Sequence, residues 1–321
     1  MNVIGKSQHV APTELVAVAT ELSPTEPAIV VAEAMSDAVD ARTRALIEEF
    51  VADSGAPPAE FTWLALGSHA RRELHCASDQ DHALVWTSED AAASRYAIDL
   101  ADHVIGGLQR FGMRPCSGGY MADRWSHSLR DWDGIIAERI AAPTPDAVLD
   151  ADIFLDLRPV AGTVDTTGLT ATLRRGAQSR RLLHGLAQAA NSFGVPLTAL
   201  GRLPRGSIDV KKSGLAPIVL LARLYGLVAG SDATGTRDRL GAAAGAGILS
   251  EKLAGRLDFA YTFLTRVRMH SQLRQIAAGD ELSDTLTIDA IPWQDQGLLR
   301  TALRSVRSAQ GTTAVTYRTD L

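Results

Sequence analysis

A polar segment between two short apolar runs constrains the fold more than any other feature of the sequence. The runs, Phe61 to Leu66 and Asp81 to Trp86, are aromatic and aliphatic, which is typical of buried strands. Between them the chain turns at Gly67, and the acidic pair Asp79 and Asp81 stands at the start of the second run. Ionised carboxylates are costly to bury unless they are paired or bind a metal. The segment therefore predicts two neighbouring strands with a functional acidic pair at one end.

The spacing of the acidic pair favours a divalent metal site. Residues two apart on a strand face the same side, so Asp79 and Asp81 are expected to project together. Their carboxylates repel each other unless a cation lies between them, and Mg²⁺ takes one or two carboxylates together with substrate phosphates. A third carboxylate would complete a two-metal site. The first candidate is Asp156, in an apolar strand predicted over Asp150 to Val160, and Asp152 is the second.

The turn before the acidic pair carries residues suited to phosphate. Gly67 lets the backbone approach a phosphate closely, Ser68 offers a hydroxyl and an N–H, and Arg71 can bind phosphate oxygens bidentately. The Walker A spacing is absent. A metal-bound triphosphate is the expected ligand. A helical turn is expected through Arg71 to Glu73, with Glu73 as a buttress for Arg71 and Arg72 as a surface or salt-bridge residue.

Three histidines and two cysteines in this region do not predict a metal or redox centre. His69, His75 and His82 fit no single helix or strand face, and no cysteine pair joins them, so zinc is not expected. His75 is expected to make a structural hydrogen bond. Cys76 and Cys116 form no close-spaced redox motif and agree with a reducing cytoplasm.

Length and charge limit the classes of function. The chain has 321 residues and a formal net charge of −5, spread without long runs, which argues against binding bulk nucleic acid by phosphate neutralisation. The N-terminal stretch lacks the pattern of a secretory signal, and no apolar stretch is long enough to span a membrane. We therefore expect a cytoplasmic protein with no membrane contact.

Strand signals fade after about Gly162, and this change predicts a domain boundary. Upstream, apolar strands alternate with helices, the first of which is predicted from Ala28 to about Gly55. Downstream, the segments 169–194, 214–230, 250–279 and 293–310 all have helical patterns. The sequence therefore predicts an α+β chain in which a mixed half is followed by a helical half.

The Gly-Ser turn followed by an Asp-x-Asp strand resembles the signature of the polymerase-β-type nucleotidyltransferase superfamily. The Gly-x-x-x-Arg-x-Glu-Leu-His…Ser-Asp-x-Asp pattern of glutamine-sensing bacterial uridylyltransferases is met by Gly67, Arg71, Glu73, Leu74, His75, Ser78, Asp79 and Asp81. The chain is more similar still to a family of largely uncharacterised nucleotidyltransferases that are often fused to CBS and cyclic-nucleotide-binding modules. Three further segments of the chain also resemble that family: RPCSGGYMA, DADIFLDLRPV and SIDVKKSGLAPIVLLARLYGL.

The resemblance extends from about Ile29 to the last helix and implies a domain organisation. A polymerase-β-like catalytic domain with a short mixed sheet would occupy 56–163. A helical segment, 1–55, would pack on it, and an all-helical substrate-binding domain would occupy 164–321. The sequence contains no CBS or cyclic-nucleotide-binding module. The family's usual glutamate after Gly-Ser is replaced by His69, a change that bears on nucleotide choice rather than on metal binding.

The resemblance also implies roles for individual residues. Mg²⁺ or Mn²⁺ would be held by the catalytic carboxylates Asp79, Asp81 and Asp156, and Asp156 could help to activate the acceptor hydroxyl. The triphosphate would be held by Gly67, Ser68 and Arg71. Lys211 and Lys212 lie just ahead of a predicted helix, where they either meet a phosphate or form a solvated pair.

These expectations lead to one principal function and two alternatives. The principal function is metal-dependent transfer of a nucleoside monophosphate from a nucleoside triphosphate to an acceptor hydroxyl, with release of pyrophosphate, in signalling or regulation. The sequence does not identify the acceptor, which could be a protein, a small molecule or a nucleic-acid end. The first alternative is a nucleotide-sensing regulatory module without turnover, and the second is a scaffold whose helical half binds a partner protein.

Overall fold

The computed structural model describes residues 13–88 and 90–319, and the N-terminal stretch in which we looked for a signal sequence lies largely outside them. The first half of the chain forms these elements in order: α1 (Glu14–Leu22), α2 (Ala28–Ser54), β1 (Phe61–Ala65), α3 (Gly67–Ala70), β2 (Asp79–Gln80), β3 (His82–Trp86), α4 (Ala91–Phe111), β4 (Arg114–Pro115), β5 (Ser126–Ser128), α5 (Leu129–Ala141), α6 (Pro145–Phe154) and β6 (Arg158–Gly162).

The two apolar runs form the centre of a small mixed sheet. Its strand order is β5-β3-β1-β6, with β1 antiparallel to both β3 and β6 and β3 parallel to β5. Every residue of β1 and β3 is buried, as the continuous apolar pattern predicted. Helices α2 and α4 cover one face, where Trp63 and Leu84 join their core, and Leu64 and Val85 pack into a second cluster on the other face. The predicted sheet is confirmed.

The strand predicted over Asp150 to Val160 is wrong in its first part. Thr144 caps a helix there by accepting a hydrogen bond from the Ala147 N–H, and Pro145 occupies the first helical turn. A Ser or Thr cap followed by proline is a strong helix start. Helix α6 therefore runs through Asp152, and only the end of the segment, from Arg158, enters the sheet. Asp156 lies in the turn between the helix and the strand.

The helical turn after the first strand also differs from the prediction. It begins at Gly67 itself and ends at Ala70 rather than covering Arg71 to Glu73. Arg72 follows with a φ of 60°, a left-handed conformation that ends the turn.

The second half of the chain is largely helical, as predicted. Its elements are α7 (Thr167–Arg175), α8 (Arg180–Ser192), β7 (Ser207–Asp209), a π-helical turn (Lys211–Leu215), α9 (Ala216–Val228), α10 (Thr236–Gly245), α11 (Glu251–Ala278), β8 (Thr285–Thr287) and α12 (Trp293–Tyr317). The pattern did not anticipate the antiparallel ribbon formed by β7 and β8, and of α10 it indicated only a helix end at Gly241 to Gly247. Within the described residues, no helix has the length and apolar character needed to cross a membrane.

Helix α11 joins the two halves. Met269 of this helix is wholly buried in the core of the first half, together with residues of α2 and the sheet. The thiol of Cys76 lies 3.9 Å from the Met269 sulfur. This packing leaves a cavity between the sheet edge that carries the acidic pair and the helices of the second half.

Candidate functional site

The cavity between the two halves contains most of the predicted site residues. Its volume is about 540 Å³, within the range of small-molecule sites. Its lining includes six of the eight residues predicted from the sequence: Gly67, Ser68, Arg71, Asp79, Asp81 and Lys211. Asp156 and Lys212 do not line it. The Lys212 N–H instead donates to Asp209 in an exposed turn.

The acidic pair stands on the sheet side of the cavity. Asp79 begins β2, which pairs with β4, and Asp81 occupies the link between β2 and β3. Asp79 forms an ion pair with Arg114, 3.1 Å from carboxylate to guanidinium. Burial raises the pKa of the Asp81 carboxyl and the Asp79 charge raises it further, although a hydrogen bond from the Cys116 thiol acts in the opposite direction. A divalent cation between the two carboxylates would relieve this repulsion, so the pair fits a metal.

Gly67 is required by the acidic pair itself. Its φ is +53°, and a Cβ at this position would lie 2.6 Å from Oδ2 of Asp81. The Leu66 N–H also donates to the Asp81 carbonyl at 2.9 Å. The glycine thus makes room for the Asp81 carboxylate, a reason that differs from the close phosphate approach expected from the sequence.

Asp156 is not brought together with the acidic pair. Its side chain is 0% exposed and bonds three guanidinium groups, those of Arg71, Arg223 and Arg239. Burial raises the pKa of this carboxyl, but the arginine charges outweigh burial and hold the pKa well below its usual range. The part of the chain that the structure describes contains no group of three or more acidic, histidine or cysteine side chains placed to hold a metal ion. The expected carboxylate triad is therefore not assembled here.

Asp152, the second candidate, does line the cavity. One oxygen, Oδ2, is ion-paired with Arg223. The other, Oδ1, is buried and has no hydrogen-bond partner among the described residues. Burial raises the pKa of this carboxyl to about 6, although the Arg223 charge opposes the shift. A buried polar atom without a partner is unusual and calls for an explanation.

Arg71 is held rigidly in the cavity wall. Its Nε donates to Glu73 at 2.6 Å, and its Nη1 donates to Asp156. Glu73 in turn accepts hydrogen bonds from the N–H and the hydroxyl of Thr236, at 2.7 and 3.0 Å, at the start of α10. Glu73 therefore buttresses Arg71, as predicted, and also ties it to the helical half. Arg72 forms the expected surface ion pair, with Asp37 at 2.6 Å.

Two further residues of the cavity were not among the site residues predicted from the sequence. Arg268 lines the cavity while it is ion-paired with Asp284 at 2.6 Å. His75 also lines it, and its buried Nδ1 has no hydrogen-bond partner among the described residues. The expected structural bond is made by the His75 backbone, whose N–H donates to the Ser78 hydroxyl at 2.8 Å. The position of His75 within the motif was the available signal, and the sequence left open whether Arg268, with Arg266 and Arg274, forms an exposed face or lines the cleft.

His69 is turned away from the cavity. Its Nε2 is 2.7 Å from Oδ1 of Asp40, a buried residue of α2. Arg158 binds the same carboxylate at 2.9 and 3.0 Å. Burial raises the pKa of Asp40, but these partners outweigh it and hold the pKa well below its usual range. The residue after Gly-Ser thus fastens α2 to the turn and does not contact the space where a nucleotide would bind.

Comparison with known proteins gives two family matches. The family described as "Putative nucleotidyltransferase DUF294" matches residues 15–146, and "Putative nucleotidyltransferase substrate binding domain" matches residues 180–317. The segment with Asp152 and Asp156 lies between the two matched regions. No curated protein matches the chain.

Proposed function

Because the chain belongs to the nucleotidyltransferase family that both matches describe, we propose that it transfers a nucleoside monophosphate from a nucleoside triphosphate to an acceptor hydroxyl. Pyrophosphate leaves as the new phosphoester bond forms. We place the reaction in the cavity between the two halves, and we infer that the modified acceptor acts in regulation. We take 56–163 as the catalytic unit and 164–321 as the substrate-binding unit, with α1 and α2 of the N-terminal segment, 1–55, packed on the former.

One observation carries the proposal: the acidic pair lines the same cavity as Gly67, Ser68 and Arg71. Asp79 and Asp81 would hold Mg²⁺ or Mn²⁺, and triphosphate oxygens would complete the coordination. When bound, the metal supplies neutralising charge for the phosphates and the departing pyrophosphate. This arrangement needs two carboxylates from the protein, so it does not depend on Asp156 as a ligand.

The other polar residues that line the cavity position the triphosphate. Ser68 offers a hydroxyl and an N–H, and Arg71 and Lys211 offer positive charge. Since Glu73 and Asp156 already fix Arg71, little side-chain freedom is lost when it meets a phosphate. Asp156 is thus a positioning residue. His75, with an unpaired ring nitrogen, can hydrogen-bond to the polyphosphate between Lys211 and Arg268.

A labelling experiment tests the proposal. The protein is incubated with cell extract, Mg²⁺ and each α-³²P-labelled nucleoside triphosphate, and transferred label and released pyrophosphate are measured. We expect transfer by the wild type and at least a hundredfold loss in the double variant Asp79→Asn/Asp81→Asn. The double variant Asp53→Asn/Asp99→Asn, which makes the same charge change at exposed helix positions, should transfer normally. Normal transfer by the first double variant would refute the proposal.

The engagement of Asp156 by three arginines favours a second candidate, a nucleotide sensor without turnover. In that case the protein binds a nucleoside triphosphate with Mg²⁺ but releases no pyrophosphate and labels no acceptor. Calorimetry combined with the pyrophosphate measurement separates the two functions.

A further inference from the structure

The two ends of the cavity differ in chemistry. The end near the acidic pair carries the Gly-Ser turn and the basic residues described above. A second part of the lining, which we call the apolar end, comes from α6, α8 and α9 and presents apolar side chains: Leu149, Ile153, Phe193, Val219 and Leu220. Leu149 is 52% exposed, so this wall is open to a molecule that enters the cavity. This apolar end continues directly from the proposed phosphate site.

Asp152 lies on α6 with Leu149 and Ile153, where the apolar end meets the arginines: Arg223 binds both Asp152 and Asp156. Arg223 fixes the carboxylate through Oδ2, and Oδ1 is left buried without a partner among the described residues. An ionised carboxylate accepts hydrogen bonds but cannot donate them. An N–H or O–H donor on a molecule bound in the cavity would satisfy this oxygen.

A nucleobase has this chemistry, and its position follows from the phosphates. The base is covalently joined to the triphosphate, so it must occupy space that is continuous with the polar end. Its faces suit apolar and aromatic walls. A second cavity of about 690 Å³ opens from the first, sharing Pro145, Val148, Ala189 and Ser192 with it, and leaves a separate approach for the acceptor.

We propose that the apolar end binds the nucleobase and that Oδ1 of Asp152 accepts a hydrogen bond from the exocyclic amino group of adenine, cytosine or guanine. This inference rests on the proposed function and specifies its nucleotide. Uracil has no amino group. Its N3–H lies between two carbonyl oxygens, and both would be brought against the carboxylate. The site therefore discriminates against UTP by electrostatic repulsion as well as by the loss of a hydrogen bond.

Calorimetry at pH 7.5 with Mg²⁺ tests the inference, using ATP, CTP, GTP, UTP and inorganic tripolyphosphate, which has the phosphates but no base. We expect UTP to bind the wild type about tenfold or more weakly than the best of the other three nucleotides. In Asp152→Asn, an amide N–H can replace the free oxygen, so the preference for amino-bearing bases should be lost. The affinity for tripolyphosphate should change less than twofold. The control Asp146→Asn, at an exposed position on the same helix, should behave as the wild type.

A second variant tests the inference independently in case Asp152→Asn does not fold. Leu149→Trp, at the partly exposed wall, should obstruct the apolar end and weaken all four nucleotides while tripolyphosphate binds normally. Equal binding of UTP and the other nucleotides by the wild type would overturn the inference alone. So would unchanged nucleotide affinity in Leu149→Trp. If none of the five probes binds the wild type in a Mg²⁺-dependent way, the proposed function is overturned as well.

Discussion

At the level of single residues, the Asp156 carboxylate holds three arginines in the protein interior. Arg71 comes from the turn after β1, whereas Arg223 and Arg239 come from α9 and α10. Unpaired guanidinium groups are very costly to bury, so this carboxylate compensates charge from both halves. Its contribution is to position Arg71 at the cavity while joining the two halves.

Removing the Asp156 charge should therefore destabilise the whole protein. For Asp156→Asn we expect a loss of about 3–5 kcal/mol in the free energy of unfolding, the cost of breaking a buried ion pair. Asp79→Asn, a change at a partly exposed residue, should stay within about 0.5 kcal/mol of the wild type. Urea unfolding followed by tryptophan fluorescence measures both. Equal stability of Asp156→Asn and the wild type would mean that this carboxylate is free for another role.

At the level of elements, the sequence predicted helices and strands correctly where the apolar pattern of a segment matches the way it packs in the fold. Strands β1 and β3 and helices α2, α9, α11 and α12 follow from apolar periodicity and clear stop signals. The pattern failed at α6, because apolar residues between Asp150 and Val160 suit a strand as well as a buried helix. The helix start at Thr144 and Pro145 decides between the two.

Strand β3 begins with a buried neutral histidine. The ring of His82 packs on Trp63 with centroids 4.6 Å apart. The Ala122 N–H donates to Nδ1 at 3.0 Å, and Nε2 is 3.1 Å from Gln80 Oε1. Burial lowers the pKa of His82 to about 3. The folded protein thus keeps this ring neutral at pH values where the unfolded chain, with a pKa near 6.5, binds a proton.

This difference predicts how acid acts on stability. Below about pH 6.5 the unfolded state takes up a proton that the folded state refuses, so His82 makes the protein less stable as the pH falls. The His82→Gln variant has no imidazole at this position, so its unfolded state does not take up this proton. The plot of unfolding free energy against pH should be shallower for the variant by about 1.4 kcal/mol per pH unit between about pH 6 and 4. Urea titrations across this range give both slopes, and parallel plots would contradict the prediction.

At the level of the whole molecule, the site exists only because the two halves meet. The sequence indicated the acidic pair, the Gly-Ser turn and Arg71, since these lie within one short segment. It could not place Arg223 or Tyr261, which reach the cavity from helices far along the chain. It also could not show that Asp156 is enclosed by arginines, because an ion pair between distant elements leaves no local pattern.

In the proposed site, Asp79 and Asp81 hold the metal beside the Gly-Ser turn without a third carboxylate from Asp156. Anomalous diffraction from a crystal grown with Mn²⁺ and a nucleoside α,β-methylene triphosphate tests it most directly. We predict a manganese peak within about 2.5 Å of oxygens of both Asp79 and Asp81, with Asp156 still bonded to Arg71. A peak away from the acidic pair, or one coordinated by an Asp156 released from its arginines, would show that the metal is not held in this way.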